Sequence, residues 1–258
     1  MSTLLLSALH DPEARLLPWA RRLSMPGDTL MLSWQQVRAN YSEALAVASP
    51  STDSRTIATL KQAGWRVENG SDGVDRGLWA MVQLGLDQPV ERIHFCDLDR
   101  VIHWLHRFPE ELRCLPEVWG RADLVMLARS QRAFASHPAC QTLTEGLANR
   151  VIAARIGLVG ADAFSGSYVW TRRAVEAILQ VPPPRDLSFY SEGVVAPFRE
   201  GCSITRHEVE GLEWETPDQY PEEIAQLGFD AWLQQFESPK QWRRRVEMAL
   251  RFVEAALA

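Results

Sequence analysis

No two of the four cysteines, Cys96, Cys114, Cys140 and Cys202, stand close enough to form a CxxC pair. That scatter signals neither a zinc site nor a disulfide framework, and it fits a reducing, cytoplasmic setting. A basic stripe is missing as well. With 27 Lys and Arg against 33 Asp and Glu, and a formal charge of -6, the surface lacks the positive charge a nucleic-acid partner requires. The local cluster Arg243-Arg244-Arg245 reads as a solvated helix face. No run reaches the roughly 18 apolar residues of an integral membrane segment. Leu4-Leu5-Leu6 has no basic region before it and soon meets His10, Asp11 and Pro12, unlike a secretory signal. Without export, the Asn40-Tyr41-Ser42 and Asn69-Gly70-Ser71 sequons carry no meaning as glycosylation sites. Repeats and low-complexity tracts are also absent, so 258 residues with 46% hydrophobic content are expected to form one domain with a substantial core.

What is present is an alternation of strand-like and helix-like segments. Apolar runs predict strands at 3–9, 44–48, 65–68, 92–96 and 122–127. Between and after them, helical patterns cover 12–22, 54–63, 74–86, 110–119, 141–156 and 173–180. Pro182-Pro183-Pro184 closes the last of these. This order implies an α/β fold with a mostly parallel sheet flanked by helices. Residues 217–258 read as a C-terminal helical extension packed on the domain, with Trp242, Val246, Ala249, Leu250 and Val253 at helical spacing in its tail.

The strand-like run Arg92-Ile93-His94-Phe95-Cys96 delivers two carboxylates in Asp97-Leu98-Asp99. If the extended conformation continues, the period of two puts Asp97 and Asp99 on one face and Leu98 toward the core. Open α/β sheets place ligands beyond the carboxyl ends of their strands. A hard divalent cation, Mn2+ or Mg2+, would there bridge the acids to a diphosphate and neutralise the charge of a departing nucleotide.

Together with the later segment Asp162-Ala163-Phe164-Ser165-Gly166-Ser167-Tyr168-Val169-Trp170-Thr171-Arg172-Arg173, this order resembles the GT-A nucleotide-sugar glycosyltransferases. Within them it is most similar to the dolichyl-phosphate mannose synthase and mannosylglycerate synthase-like groups. The resemblance implies a metal-dependent transferase that moves a sugar from a nucleoside diphosphate sugar donor to an acceptor hydroxyl. It makes Asp97 and Asp99 the metal and diphosphate ligands. It places Ser49, Pro50 and Asp53 near the nucleotide and Arg76, after the Gly70–Gly73 turn, near a phosphate. Asp162 and Glu192 are its candidate catalytic acids on the acceptor side, and Glu213 and Glu215, which share a face if extended, are candidates for further metal ligands. The first strand ends in Ala8-Leu9-His10-Asp11, without the Tyr-Asn-Glu of the larger inverting group, and leaves Asp11 as a substitute. Two other readings stand beside this one. The chain could be a non-catalytic nucleotide-sugar-binding protein of the same fold, or a HAD-like phosphatase with Asp97 as nucleophile and Asp99 as acid/base.

Overall fold

Consecutive apolar residues such as Leu4-Leu5-Leu6 have no polar face to give to water, so a strand built from them must be covered on both sides. The computed structural model, which describes residues 2–70, 74–182 and 188–258 and only the backbone of 74–76, shows that arrangement. Among the described residues one sheet is formed by β1 (Thr3–Leu9), β2 (Glu43–Ala48), β3 (Arg66–Asn69), β4 (Arg92–Cys96), β5 (Leu124–Arg129), β6 (Ser167–Thr171) and β7 (Ile204–Val209). Their order is β3-β2-β1-β4-β6-β5-β7. All neighbours are parallel except β6, which runs antiparallel to β4 and β5.

The period of two sorts the buried side chains onto two faces. Leu4, Leu6, Phe95, Tyr168 and Trp170 belong to one core cluster, which is completed by Val82, Ile152, Val175, Val194 and Phe252 from helices. Leu5, Leu9, Cys96 and Val125 belong to the other, with Leu23, Trp34 and Val101. The helix Pro239–Leu257 joins the first cluster through Phe252 and Ala256. Its inward face is Ala249, Phe252 and Ala256, so Val246 and Leu250, expected to face the core, lie about 100° round the helix and are 54% and 58% exposed.

The expected strands are all present, 3–9 and 92–96 with unchanged bounds and the other three extended or shifted by one or two residues. The first helix starts at Leu17, not Pro12. Residues 11–16 form a turn around Asp11, whose carboxylate accepts from the backbone N–H of Arg15 at 2.7 Å and of Leu16 at 3.2 Å. Asp11 also accepts from Thr56 Oγ1 at 2.7 Å, so its role is to join β1 to the helix Ser54–Gln62. The stretch expected as a helix over 110–119 is a short α-helix, Pro109–Cys114, followed by a 3-10 turn, Leu115–Val118, containing Pro116. The structure adds helices Thr29–Arg38 and Phe189–Arg199. Gly73, Pro183, Pro184 and the side chain of Arg76 lie outside the described residues. Among the described residues no helix is long and apolar enough to cross a membrane, and all four cysteines are free.

Candidate active site

β4 stops at Cys96, and Asp97 (φ -57, ψ 140) is the N-cap of the helix Leu98–Arg107. The chain therefore turns helical inside the Asp-x-Asp motif, and the two carboxylates do not share a strand face. The sequence dictates the turn: Leu98, Val101, Ile102 and Leu105 fall at helical spacing and are all buried. Both acids end at the helix N-terminus, whose free N–H groups favour negative charge. Asp99 Oδ1 accepts from the Arg100 N–H at 2.9 Å, and Oδ2 accepts from Gln219 Nε2 at 3.2 Å.

Arg100 occupies the centre of the site. Its Nε lies 3.8 Å from Asp97 Oδ2 and 3.8 Å from Glu215 Oε2. Its Nη1 donates to the Ser165 carbonyl. Gly166 (φ 69) makes that reach possible, because a Cβ there would collide with the guanidinium. Burial first, then Glu215, raises the pKa of Asp99 above the carboxylate range; burial does the same for Asp97, against the opposing pull of Arg100 and with a smaller push from Glu215. Burial works against the charge of Arg100, but Glu215 and Asp97 hold it protonated. Glu215 Oε2 is buried and accepts no hydrogen bond.

Two cavities meet at these groups. One, of about 240 Å³, is lined by His10, Leu78, Asp97 and Asp99. The other, of about 200 Å³, is lined by Trp214, Phe236, Arg245 and Phe252. Arg100, Tyr190 and Glu215 line both.

The remaining expected residues are distributed around this centre. Loop 49–53 docks on the end of β1, the Ser49 N–H donating to the Leu9 carbonyl at 2.8 Å. Ser49 Oγ is 2.9 Å from His10 Nδ1, which connects the loop to the first cavity. Pro50 is exposed. Asp53 caps the helix Ser54–Gln62, accepting from the Arg55 N–H at 2.8 Å, and pairs with the Arg55 side chain. Arg76 lies in the first turn of the helix Val74–Leu86, whose Leu78 lines the first cavity.

Glu213 and Glu215 part company. Glu213 is bound by His103 Nε2 at 3.2 Å and by Arg132 Nη1, and it lines neither cavity. Glu192 sits half-buried in the first turn of the helix Phe189–Arg199, two residues beyond Tyr190, and lines neither cavity. Asp162 is buried, and its oxygens accept from the Arg129 N–H and side chain and from Asn149 Nδ2. Arg100, Tyr190 and Gln219 had no sequence-based role. Arg100 directly follows the motif, three residues from Asp97, and helical spacing would have found it.

Asp97, Asp99 and Glu215 are hard oxygen donors of the kind Mn2+ and Mg2+ take. Among the described residues no group of three or more His, Cys, Asp or Glu is arranged to hold a metal ion. Between Asp97 and Glu215 stands the Arg100 guanidinium.

No family model and no curated protein matches the chain. Solved structures do. Glucosyl-3-phosphoglycerate synthase from Mycobacterium tuberculosis, in complex with Mn2+, uridine diphosphate and phosphoglyceric acid, superposes at TM-score 0.53 and 16% identity. The match covers 80% of this chain and 68% of that one. A second mycobacterial protein matches at TM-score 0.54 and 17% identity, over 81% of this chain and 65% of that one. The chain thus spans about two thirds of each neighbour's length. Its fold is that of the GT-A nucleotide-diphospho-sugar transferases.

Proposed function

We propose that the chain is a glycosyltransferase that moves a sugar from a nucleoside diphosphate sugar to an acceptor hydroxyl. The observation that carries this reading is the meeting of Asp97, Asp99, Glu215 and Arg100 at the carboxyl end of β4, where two cavities join. A HAD-like phosphatase loses its footing, because the pair stands after the fourth strand in a GT-A-type sheet. The Mn2+ and uridine diphosphate in the mycobacterial synthase support the donor and cation assignment.

Asp97, Asp99 and Glu215 would hold Mn2+ or Mg2+, with Glu213 outside the set. A bound divalent cation supplies positive charge that stabilises the departing nucleoside diphosphate. The cavity beside His10 is the donor side, with Ser49, Pro50 and Asp53 on its loop and Arg76 at the start of the helix that contributes Leu78. The second cavity, beside Trp214, takes the acceptor. At about 200 Å³ it is smaller than the ~300–1,000 Å³ that encloses drug-sized ligands, so the acceptor group is small. Neither acid offered for the acceptor's proton is placed to take it: the Asp162 oxygens are committed to Arg129 and Asn149, and Glu192 lines neither cavity.

A thermal-shift screen of UDP, GDP and their sugars, each with and without Mn2+, tests the reading. One nucleotide should raise the melting temperature in a Mn2+-dependent way. Silence toward all of them would remove the donor site.

A further inference from the structure

His103 is buried on the helix Leu98–Arg107, one turn beyond Asp99. Its Nδ1 lies 2.7 Å from Asp218 Oδ2 and its Nε2 lies 3.2 Å from Glu213 Oε1. An ionised carboxylate only accepts, and a neutral imidazole has a single N–H to give. One carboxylate on each nitrogen therefore calls for the doubly protonated ring. Burial opposes that charge, but Asp218 first, then Glu213 and Glu215, outweigh it and hold the imidazole above its ordinary value of 6.5.

The two acids bracket a segment of the candidate site. Between them the chain brings Glu215 to 3.8 Å from Arg100 Nε, and Gln219, next after Asp218, donates to Asp99 Oδ2 at 3.2 Å. The two ends are not held alike. Glu213 also pairs with Arg107 at 3.6 Å and with Arg132, which it shares with Glu210. Asp218 pairs, among the described residues, with His103 alone. His106, the other titratable ring on this helix, is kept below its ordinary value by burial and by Arg22, so it is neutral where His103 titrates.

We propose that His103 is a positioning residue: as an imidazolium it clamps Glu213 and Asp218 and so holds Glu215 and Gln219 against Arg100 and Asp99, and loss of its second proton opens the site. The proposal rests on the reading of these groups as the donor site. With one proton gone, one ring nitrogen turns a lone pair to a carboxylate oxygen, and that contact parts. Asp218, with no second partner, is the end that lets go, and Gln219 follows it. The clamp is complete below pH 6.5 and is lost as the pH rises through the higher folded-state value.

The test combines NMR of histidine-labelled protein, with the His103 signal identified by its loss in His103→Gln, and amide hydrogen exchange of residues 212–219. Wild-type His103 should stay doubly protonated at pH 7 and titrate only above it. Asp218→Asn should lower that midpoint by about one unit. Its amide can donate to a neutral ring, so it should also keep the segment protected at alkaline pH. His103→Gln should exchange roughly tenfold faster than wild type over 212–219 at pH 6.5, and its thermal shift with UDP or GDP should fall to the level wild type reaches at alkaline pH. If His103→Gln folds poorly, the Asp218→Asn comparison carries the test. A wild-type midpoint at or below 6.5, or exchange over 212–219 that ignores both substitutions and pH, would overturn the clamp. A clamp that behaves as expected, in a protein that responds to neither nucleotide, would support the clamp and overturn the donor-site reading.

Discussion

Arg129 and Asp162 meet side by side, Nε to Oδ2 and Nη2 to Oδ1, both at 2.8 Å, with the arginine side chain wholly out of solvent. Arg129 Nη2 also donates to Glu145 Oε2 at 2.7 Å, and Asn149 donates to Asp162. The cluster ties the end of β5 and the helix Ala139–Ile156 to the segment leading into β6. Burial opposes the charge on Asp162, but Arg129 outweighs it and holds the pKa below the carboxylate range.

Without Asp162 the buried Arg129 keeps only Glu145, and breaking such a pair costs up to ~3–5 kcal/mol. Asp162→Ala should therefore lower the urea-unfolding free energy by that amount, while Mn2+-dependent nucleotide binding persists in whatever fraction stays folded. Unchanged stability together with abolished transfer would return Asp162 to the catalytic set.

Asp99 presents the opposite case. Buried, and crowded by Glu215 and Asp97, its carboxylate costs the fold stability. Asp99→Asn removes a charge and keeps an acceptor for the Arg100 N–H. It should raise stability by ~0.5–2 kcal/mol, within the usual range for relieving a functional strain, and abolish Mn2+-dependent nucleotide binding. Calorimetry paired with nucleotide titration checks both. Loss of stability with binding intact would contradict the assignment.

The difference between these two acids shows what the sequence could reveal. Strands such as Thr3–Leu9 were legible because period and apolarity set them locally, and Asp97 and Asp99 because a strand end predicts where ligands sit. The pairing of Asp162 with Arg129 spans 33 residues, and the approach of Glu215 to Arg100 spans more than a hundred. Such contacts depend on strand order, which β6 breaks by running antiparallel between β4 and β5. Glu213 and Glu215 were separated for a similar reason: a two-residue period holds only in extended chain, and here the backbone turns toward the 3-10 segment Thr216–Gln219.

Gly211 tests that turn. Its N–H and the Trp104 indole Nε1 both donate to Glu111 Oε2, at 2.8 Å and 2.7 Å, and a Cβ at 211 would fall inside the indole ring. Gly211→Ala must push aside a fully buried tryptophan, an overpacking that costs ~1–3 kcal/mol. Because residue 211 leads directly to Glu215, nucleotide binding should weaken along with stability. A variant with wild-type melting temperature would show that Trp104 yields freely.

His94 gives the fold a pH dependence whose sign follows from its hydrogen bonds. Ser167 Oγ donates to the Phe95 carbonyl at 3.1 Å, so it accepts from His94 Nε2–H at 3.0 Å. His94 Nδ1 is then the acceptor for the Tyr41 hydroxyl at 2.7 Å. A proton on Nδ1 would oppose that donor in a site with no solvent, and burial pushes the imidazole pKa from 6.5 down to about 3. The unfolded chain protonates below pH 6.5 while the folded one does not until about 3. Over that window the unfolded state binds more protons, so stability is complete above 6.5 and falls as the pH falls. The slope approaches ~1.4 kcal/mol per pH unit from this group alone. The raised carboxylates of Asp97 and Asp99 act in the opposite direction, so the informative quantity is the difference between wild type and His94→Gln. That difference in unfolding free energy, measured in urea from pH 7.5 to 4.5, should shrink by ~2.5–3 kcal/mol toward acid. A difference independent of pH would mean that His94 is protonated, and its chain of hydrogen bonds broken, well before the fold gives way.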